Sequence, residues 1–127
     1  MADLSKKRIL VVDDDAAIRQ GVAMALRVFY EVEVAEDAAT AFERFDRPPA
    51  IDLLIVDVNM PEVTGIDLVK QVRANAKWAK VPVMFLSALD RPADVIAGMS
   101  AGARYYMTKP FKIDALLDKV KKILGGR

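Results

Sequence analysis

The chain has no cysteine and no histidine. The first absence excludes disulfides and thiolate metal sites, and the second excludes zinc–imidazole centres and histidine acid–base catalysis. A surplus of either charge is also missing. Lys plus Arg is 19 and Asp plus Glu is 18, for a net charge of +1. That balance removes the electrostatic footprint of a dedicated nucleic-acid binder, so no direct nucleic-acid binding is expected. No apolar run is long enough for a membrane span or a signal peptide. The run at residues 9–12 is short, and Asp13, Asp14 and Asp15 follow it at once. The expectation is a soluble cytoplasmic protein without membrane association, whose chemistry rests on carboxylates.

At 127 residues the chain has the size of one domain, and its 54% apolar content suits a sheet buried on both faces. Strand-like and helix-like periods alternate five times. Arg8–Val12 is a continuous apolar run, as expected of a buried parallel strand. Ile18, Val22, Ala25, Leu26 and Phe29 then recur at helical spacing, with Asp15 placed as N-cap. Glu31-Val32-Glu33-Val34 alternates strictly and reads as an edge strand protected by charge. Ala38, Ala41, Phe42 and Phe45 form a short helical face that Pro48-Pro49 ends. Leu53–Val56 reads as the central strand. Gly65–Ala74 reads as a helix with Ile66, Val69 and Val72 or Arg73 near its inner side. Residues 81–86 read as a strand with Pro82 at its start. In Pro92–Ala101, the weakest helical pattern, Ile96 and Met99 are expected to point inward. Tyr105–Thr108 is the last strand, and Ile113, Leu116, Leu117, Val120, Ile123 and Leu124 make the clearest helical stripe. This (βα)₅ succession predicts a doubly wound α/β sandwich of three layers, with parallel strand order 2-1-3-4-5.

Four of the strand-like runs end in reactive groups. They are Asp13-Asp14, Asp57, Ser87, and Lys109 before Pro110. In an open parallel sheet such groups gather beyond the carboxyl ends of the strands. Three carboxylates, a hydroxyl and an ammonium would meet at one rim, a set suited to a divalent cation and a phosphoryl group. Each piece alone has a plainer reading: Asp13-Asp14-Asp15 as a polar turn, Asp57 and Ser87 as turn formers, Lys109 as a solvated cation. Asp15 reads simply as a cap, and lysines 112, 119, 121 and 122 as the solvated face of the last helix.

With these pieces in order, the chain resembles the receiver domain of two-component response regulators. The matching segments are Ile9-Leu10-Val11-Val12-Asp13-Asp14, Asp57-Val58-Asn59-Met60-Pro61 with Gly65, Ser87-Ala88, and Lys109-Pro110-Phe111. The resemblance covers residues 7–124 and implies a flavodoxin-like fold. It implies Asp57 as phosphoacceptor and Mg²⁺ (with Mn²⁺ as an alternative) bound by Asp14, Asp57 and the main-chain carbonyl of Asn59, with Asp13 acting through a water. Ser87 and Lys109 would contact the phosphoryl group, Tyr106 would be the aromatic switch, Pro110 would follow a cis bond, and Gly65 would be structural. The implied partners are a sensor histidine kinase or a histidine phosphotransfer protein, with a small acyl phosphate as another donor, and a downstream protein target that reads the fourth helix, fifth strand and fifth helix. The implied state is a monomer or a weak phosphorylation-dependent dimer.

Some positions depart from the family pattern. Thr64 stands where many relatives carry Asp, and Ser87 where Thr is commoner. Arg104-Tyr105 replaces acidic residues that DNA-binding relatives use in symmetric dimer contacts. Asn59 and Leu89 flank the phosphorylation site, where the family tunes phosphoryl lifetime. Residues 1–127 are expected to be one receiver with no output domain, because Gly125-Gly126-Arg127 follows the fifth helix directly. Two alternatives stand beside this reading. One is the receiver part of a larger regulator with a DNA-binding or enzymatic output. The other is a Mg²⁺-dependent phosphohydrolase, disfavoured because Asn59 occupies the place of its second carboxylate.

Overall fold

A computed structural model describes residues 6–60, 62–88 and 91–125 of the chain. Pro61, Leu89, Gly126 and Arg127 lie outside the described residues. The apolar runs form β1 (Arg8–Val12), β2 (Glu31–Ala35), β3 (Leu53–Val56), β4 (Val83–Ser87) and β5 (Tyr105–Thr108). Each leads into a helix: α1 (Ala16–Arg27), α2 (Ala38–Phe45), α3 (Gly65–Ala74), α4 (Pro92–Ala101) and α5 (Ile113–Ile123). The strands are all parallel, in the order β2-β1-β3-β4-β5. The expected architecture is the one observed.

Strand side chains alternate between faces, and that alternation divides the core in two. Leu10, Val12, Leu54, Val56, Val83 and Phe85 pack with Ala38 and Ala41 of α2 and with Leu68, Val69 and Val72 of α3. Ile9, Val11, Leu53, Ile55, Met84 and Leu86 pack with Val22 and Leu26 of α1 and with Leu116 and Val120 of α5. Because both faces are covered, the strands are apolar without interruption, as a fully buried parallel sheet requires. Helix starts are fixed by side-chain oxygens. Asp15 accepts from the N–H groups of Ala17 and Ile18, Asp37 from Thr40, and Thr64 from Asp67. Thr64 therefore does the capping work that its local sequence demands.

Four local expectations are corrected. β4 starts at Val83, not at residue 81, and extends through Ser87. Pro82 has no N–H to give a ladder, although its carbonyl accepts from Leu54 N at 3.0 Å. Phe29 lies beyond the end of α1 and is 56% exposed. Ile96 and Met99 of α4 point outward, 64% and 41% exposed, while Gly98 and Ala101 form the buried face. The reason is distance. A Cβ on Gly98 would lie 2.9 Å from the Phe85 ring and 3.0 Å from the Tyr106 ring. The helix comes so close to the sheet that only small residues fit beneath it. Ile113, at the exposed start of α5, likewise contributes less to the core than its stripe predicts.

Candidate functional site

The strand register brings the reactive residues together. Val12 pairs with Val56, and Ser87 with Thr108, so Asp13, Asp57 and Lys109 follow strand ends that are already level. Main-chain bonds extend that register by one residue: Asp57 N to Val12 O at 3.0 Å, Asp13 N to Ala35 O at 3.2 Å, and Lys109 N to Ser87 O at 2.8 Å. The positions of these side chains thus follow from the ladder and not from flexible loops.

Asp13, Asp14 and Asp57 present carboxylate oxygens that all lie within 4.8 Å of one another. Asp13 is buried, Asp57 is 9% exposed and Asp14 is open to solvent. One cation faces them: Lys109 Nζ lies 2.9 Å from Asp13 Oδ2 and 3.7 Å from Asp57 Oδ2. Burial raises the Asp57 carboxyl above its ordinary range. Lys109 opposes that shift most, then the Asn59 N–H, while Asp13 adds to it and the Ser87 hydroxyl bond opposes it. A carboxylate held near two others and partly desolvated lacks positive charge, and one ammonium does not supply enough. An all-oxygen donor set with one solvent-facing member suits a hard divalent cation that keeps several waters, so the residues present fit Mg²⁺.

Each expected residue can be placed. Ser87 ends β4, is buried, and turns its hydroxyl to the Asp57 carboxylate. Asn59 is exposed and donates its N–H to Asp57 Oδ1 at 3.3 Å. Lys109-Pro110 is a cis bond, as the resemblance implied. Tyr106 is half-buried, its ring 5.9 Å from that of Phe85, so it stands on the face covered by α3 and α4 and not at the cluster itself. Gly65 is fixed by contact: a Cβ there would collide with the Asp57 carbonyl oxygen, and its N–H donates to Val58 O at 2.8 Å. Only glycine lets α3 begin directly against the strand that carries Asp57.

Other contributors were not legible as site residues. Arg19 Nη1 donates to the Asp13 carbonyl at 2.8 Å, and the Asp15 N–H donates to Asp13 Oδ1 at 2.9 Å, which orients the buried carboxylate. The helical spacing of Arg19 three residues beyond Ala16 was the available signal. Glu62 adopts φ +65°, the left-handed region that disfavours residues with a Cβ, and with Asp14 and Asp37 it lines a cleft of about 250 Å³ beside the cluster. No local pattern announces that conformation.

Comparison with known proteins agrees with this geometry. The profile of the response regulator receiver domain matches residues 9–121. The chain is 37% identical over 120 residues to chemotaxis protein CheY1 of Helicobacter pylori, covering 93% of this chain and 97% of that protein. It is 37% identical over 124 residues to the transcriptional regulatory protein TrcR of Mycobacterium tuberculosis, covering 97% of this chain but only 47% of the relative, so the chain spans about half of that protein's length. The solved structure of the chemotaxis response regulator CheY4 of Vibrio cholerae superposes with a TM-score of 0.87 at 34% identity, covering 94% of this chain and all of that one. The chain belongs to the response regulator receiver domain family. It is a CheY-like receiver of two-component signalling, a family whose members work with histidine kinases or phosphotransfer proteins and bind Mg²⁺ at an acidic pocket of the kind seen here. Among the described residues no helix is long and apolar enough to cross a membrane.

Proposed function

We propose that residues 1–127 act as one phosphorylation-controlled switch in the cytoplasm, with Asp57 as phosphoacceptor. The observation that carries this reading is the Asp57 carboxylate, raised by burial, flanked by Asp13 and Asp14 and reached by Lys109 and Ser87. An Asp57 oxygen attacks the phosphorus of a phosphohistidine or acyl phosphate in line. The new O–P bond forms as the P–N or P–O bond to the donor breaks, and the donor leaves with that electron pair. Lys109 and Ser87 stand where the equatorial oxygens develop charge, and each offers a donor there. Asp14, Asp57 and the carbonyl of Asn59 would hold Mg²⁺ (or Mn²⁺), with Asp13 acting through water. The bound ion would neutralise charge shared by the carboxylates and the phosphoryl oxygens. Water later cleaves the aspartyl-phosphate. The chain catalyses only its own phosphorylation and dephosphorylation, and Asn59 offers no carboxyl for turnover of outside substrates.

The donor docks in the groove of about 280 Å³ between α1 and the turn after β5, where Ile18, Val22, Pro110 and Phe111 lie beside Lys109. The output is a shift of population in the α4–β5–α5 face. Ser87 already bonds Asp57, and Tyr106 already packs against Phe85 and beneath Gly98, so the hydroxyl and the ring occupy compatible positions. A downstream protein reads the exposed Ile96 and Met99 of that face. The test is intact mass after incubation with Mg²⁺ and acetyl phosphate, beside Asp57→Ala. One phosphoryl adduct, absent without Mg²⁺ or without the Asp57 carboxylate, is the expected result. An adduct that survives Asp57→Ala would move the phosphoacceptor elsewhere.

A further inference from the structure

Outside the phosphoacceptor rim, the donor groove and the α4 face, the described residues include large apolar side chains at the end of α1 that the fold leaves exposed. Met24, in the last turn of α1, and Val28, its C-cap, stand four residues apart, and both are exposed. Met24 is 70% exposed and Val28 69%, the two most exposed large apolar residues described, and Phe29 adds another 56%. An interval of four residues places the Met24 and Val28 side chains on one face of the helix. Its far end opens into a groove of about 500 Å³ floored by Phe29, Tyr30 and Leu117 and edged by Asp114, Asp118 and Lys121 of α5. Contiguous exposed apolar surface with a polar rim marks an interaction site.

The rim charges identify the occupant. Asp118 is already paired with Lys122 at 3.2 Å within α5. That leaves Asp114 near the start of the helix and Lys121 near its end as the opposite charges that flank Leu117. Seven residues of helix separate them by roughly 10 Å. A surface with an acid at one end, a base at the other and an apolar centre is complementary to itself after a two-fold rotation about that centre. Asp114 of one copy then faces Lys121 of the other, twice, over the joined Met24, Val28 and Leu117 side chains. We propose that this α1–α5 face pairs two copies of the chain in an isologous dimer. It leaves the α4–β5–α5 face free, and it does not use Arg104-Tyr105.

Sedimentation equilibrium of the full chain, from low concentration to about 1 mM, tests this. The wild type is expected to show a reversible monomer–dimer equilibrium. Val28→Asp should weaken it at least tenfold with an unchanged thermal melt, since the site is already exposed. Asp114→Lys and Lys121→Glu should each weaken association alone. An equimolar mixture of these two variants should dimerise again, because both cross-contacts are then oppositely charged, and Asp114→Lys combined with Lys121→Glu in one chain should behave likewise. A wild type that stays monomeric throughout would overturn the proposal. So would a dimer indifferent to Val28→Asp, or charge variants whose mixture associates no better than either alone. If Ile96→Asp, and not Val28→Asp, dissolves the dimer, copies meet through α4 and the assignment is wrong.

Discussion

Two places in this fold set carboxylates against cations, and their ratios are inverted. On the edge strand β2, the single carboxylate of Glu33 faces three guanidiniums. Arg44 Nε is 2.6 Å from Glu33 Oε1, Arg8 Nη1 3.3 Å from Oε2, and Arg47 Nη2 3.6 Å from Oε1. At the strand ends, three carboxylates face the single ammonium of Lys109. The first cluster is complete without a ligand. Arg44 is buried, its Nη1 and Nη2 donate to the carbonyls of Arg47 and Pro49 at 2.8 Å each, and its Nε lies against Glu33 off the line of a well-formed hydrogen bond. The second is incomplete, because its surplus charge is negative, partly desolvated and open on one side. The same residue types serve structure where charges are matched by the chain and, in the function proposed above, leave a place for a cation and a phosphoryl group where they are not.

Breaking the matched cluster should have the largest effect. Arg44→Ala removes a buried cation and leaves two carbonyls and Glu33 without it. We expect a loss of roughly 3 kcal/mol in urea unfolding, the size typical of a severed buried charge network. The phosphoryl adduct should still form in the folded fraction. A loss under about 1 kcal/mol would show that the guanidinium is replaced by water and the cluster is ornamental.

The unmatched cluster should respond with the opposite sign. With a chelator present, Asp57→Asn should stabilise the fold by about 1 kcal/mol, because a crowded, desolvated carboxylate is exchanged for a neutral amide. Mg²⁺ at a hundredfold excess over its dissociation constant should stabilise the wild type by roughly 2.7 kcal/mol and the variant much less. The pH dependence separates the two sites further. Arg44 holds Glu33 below its ordinary range against some desolvation, helped by Arg8 and Arg47. The stability from Glu33 is therefore present above the unfolded pKa and lost as pH falls through the folded one. Asp57 is raised, chiefly by burial. Its penalty is absent below the unfolded pKa and develops as pH rises toward the folded one. On acidification the destabilisation by Glu33→Gln and the stabilisation by Asp57→Asn should both shrink toward zero from opposite sides. Two differences of like sign in urea titrations across that range would refute the comparison.

How far the sequence disclosed these sites depends on what kind of contact each uses. The rim was legible because its members directly follow apolar runs, so recognising Leu53–Val56 as a strand already places Asp57 at its end. The order of strands followed from five alternations and the charged Glu31 and Glu33 on an edge. The Glu33 cluster was not legible, since Arg44 bonds to main-chain carbonyls, and an arginine four residues before Pro48 reads as ordinary surface charge. Trp78 was missed for a related reason. It lies in the turn after α3, outside any periodic segment, yet its ring stands 6.2 Å from Phe42 and 5.2 Å from Phe45. The α4 error is the most instructive. Hydrophobic periodicity finds faces that bury large side chains, whereas a helix that approaches closely buries small ones and turns Ile96 and Met99 outward.

That close approach offers the finest adjustment of the open site, through a residue that never touches it. Gly98→Ala has two opposed consequences. Alanine improves the α4 helix by about 1 kcal/mol over glycine in the free chain. Its Cβ, however, must enter space 2.9 Å from Phe85 and 3.0 Å from Tyr106, and overpacking of this kind costs roughly 1–3 kcal/mol. The packing cost should prevail, for a net loss of about 1 kcal/mol, because Phe85 is wholly buried and cannot yield. Relief must come from the half-buried Tyr106 ring, displaced toward solvent. If the inward seat of Tyr106 is coupled to Ser87 and Asp57, adduct formation from acetyl phosphate should slow several-fold, and the ring resonances of Tyr106 should shift toward solvent-exposed values. Alanine at position 98 with displaced Tyr106 resonances and an unchanged phosphorylation rate would uncouple the aromatic residue from the acidic rim, leaving Ser87 and Lys109 to carry the signal alone.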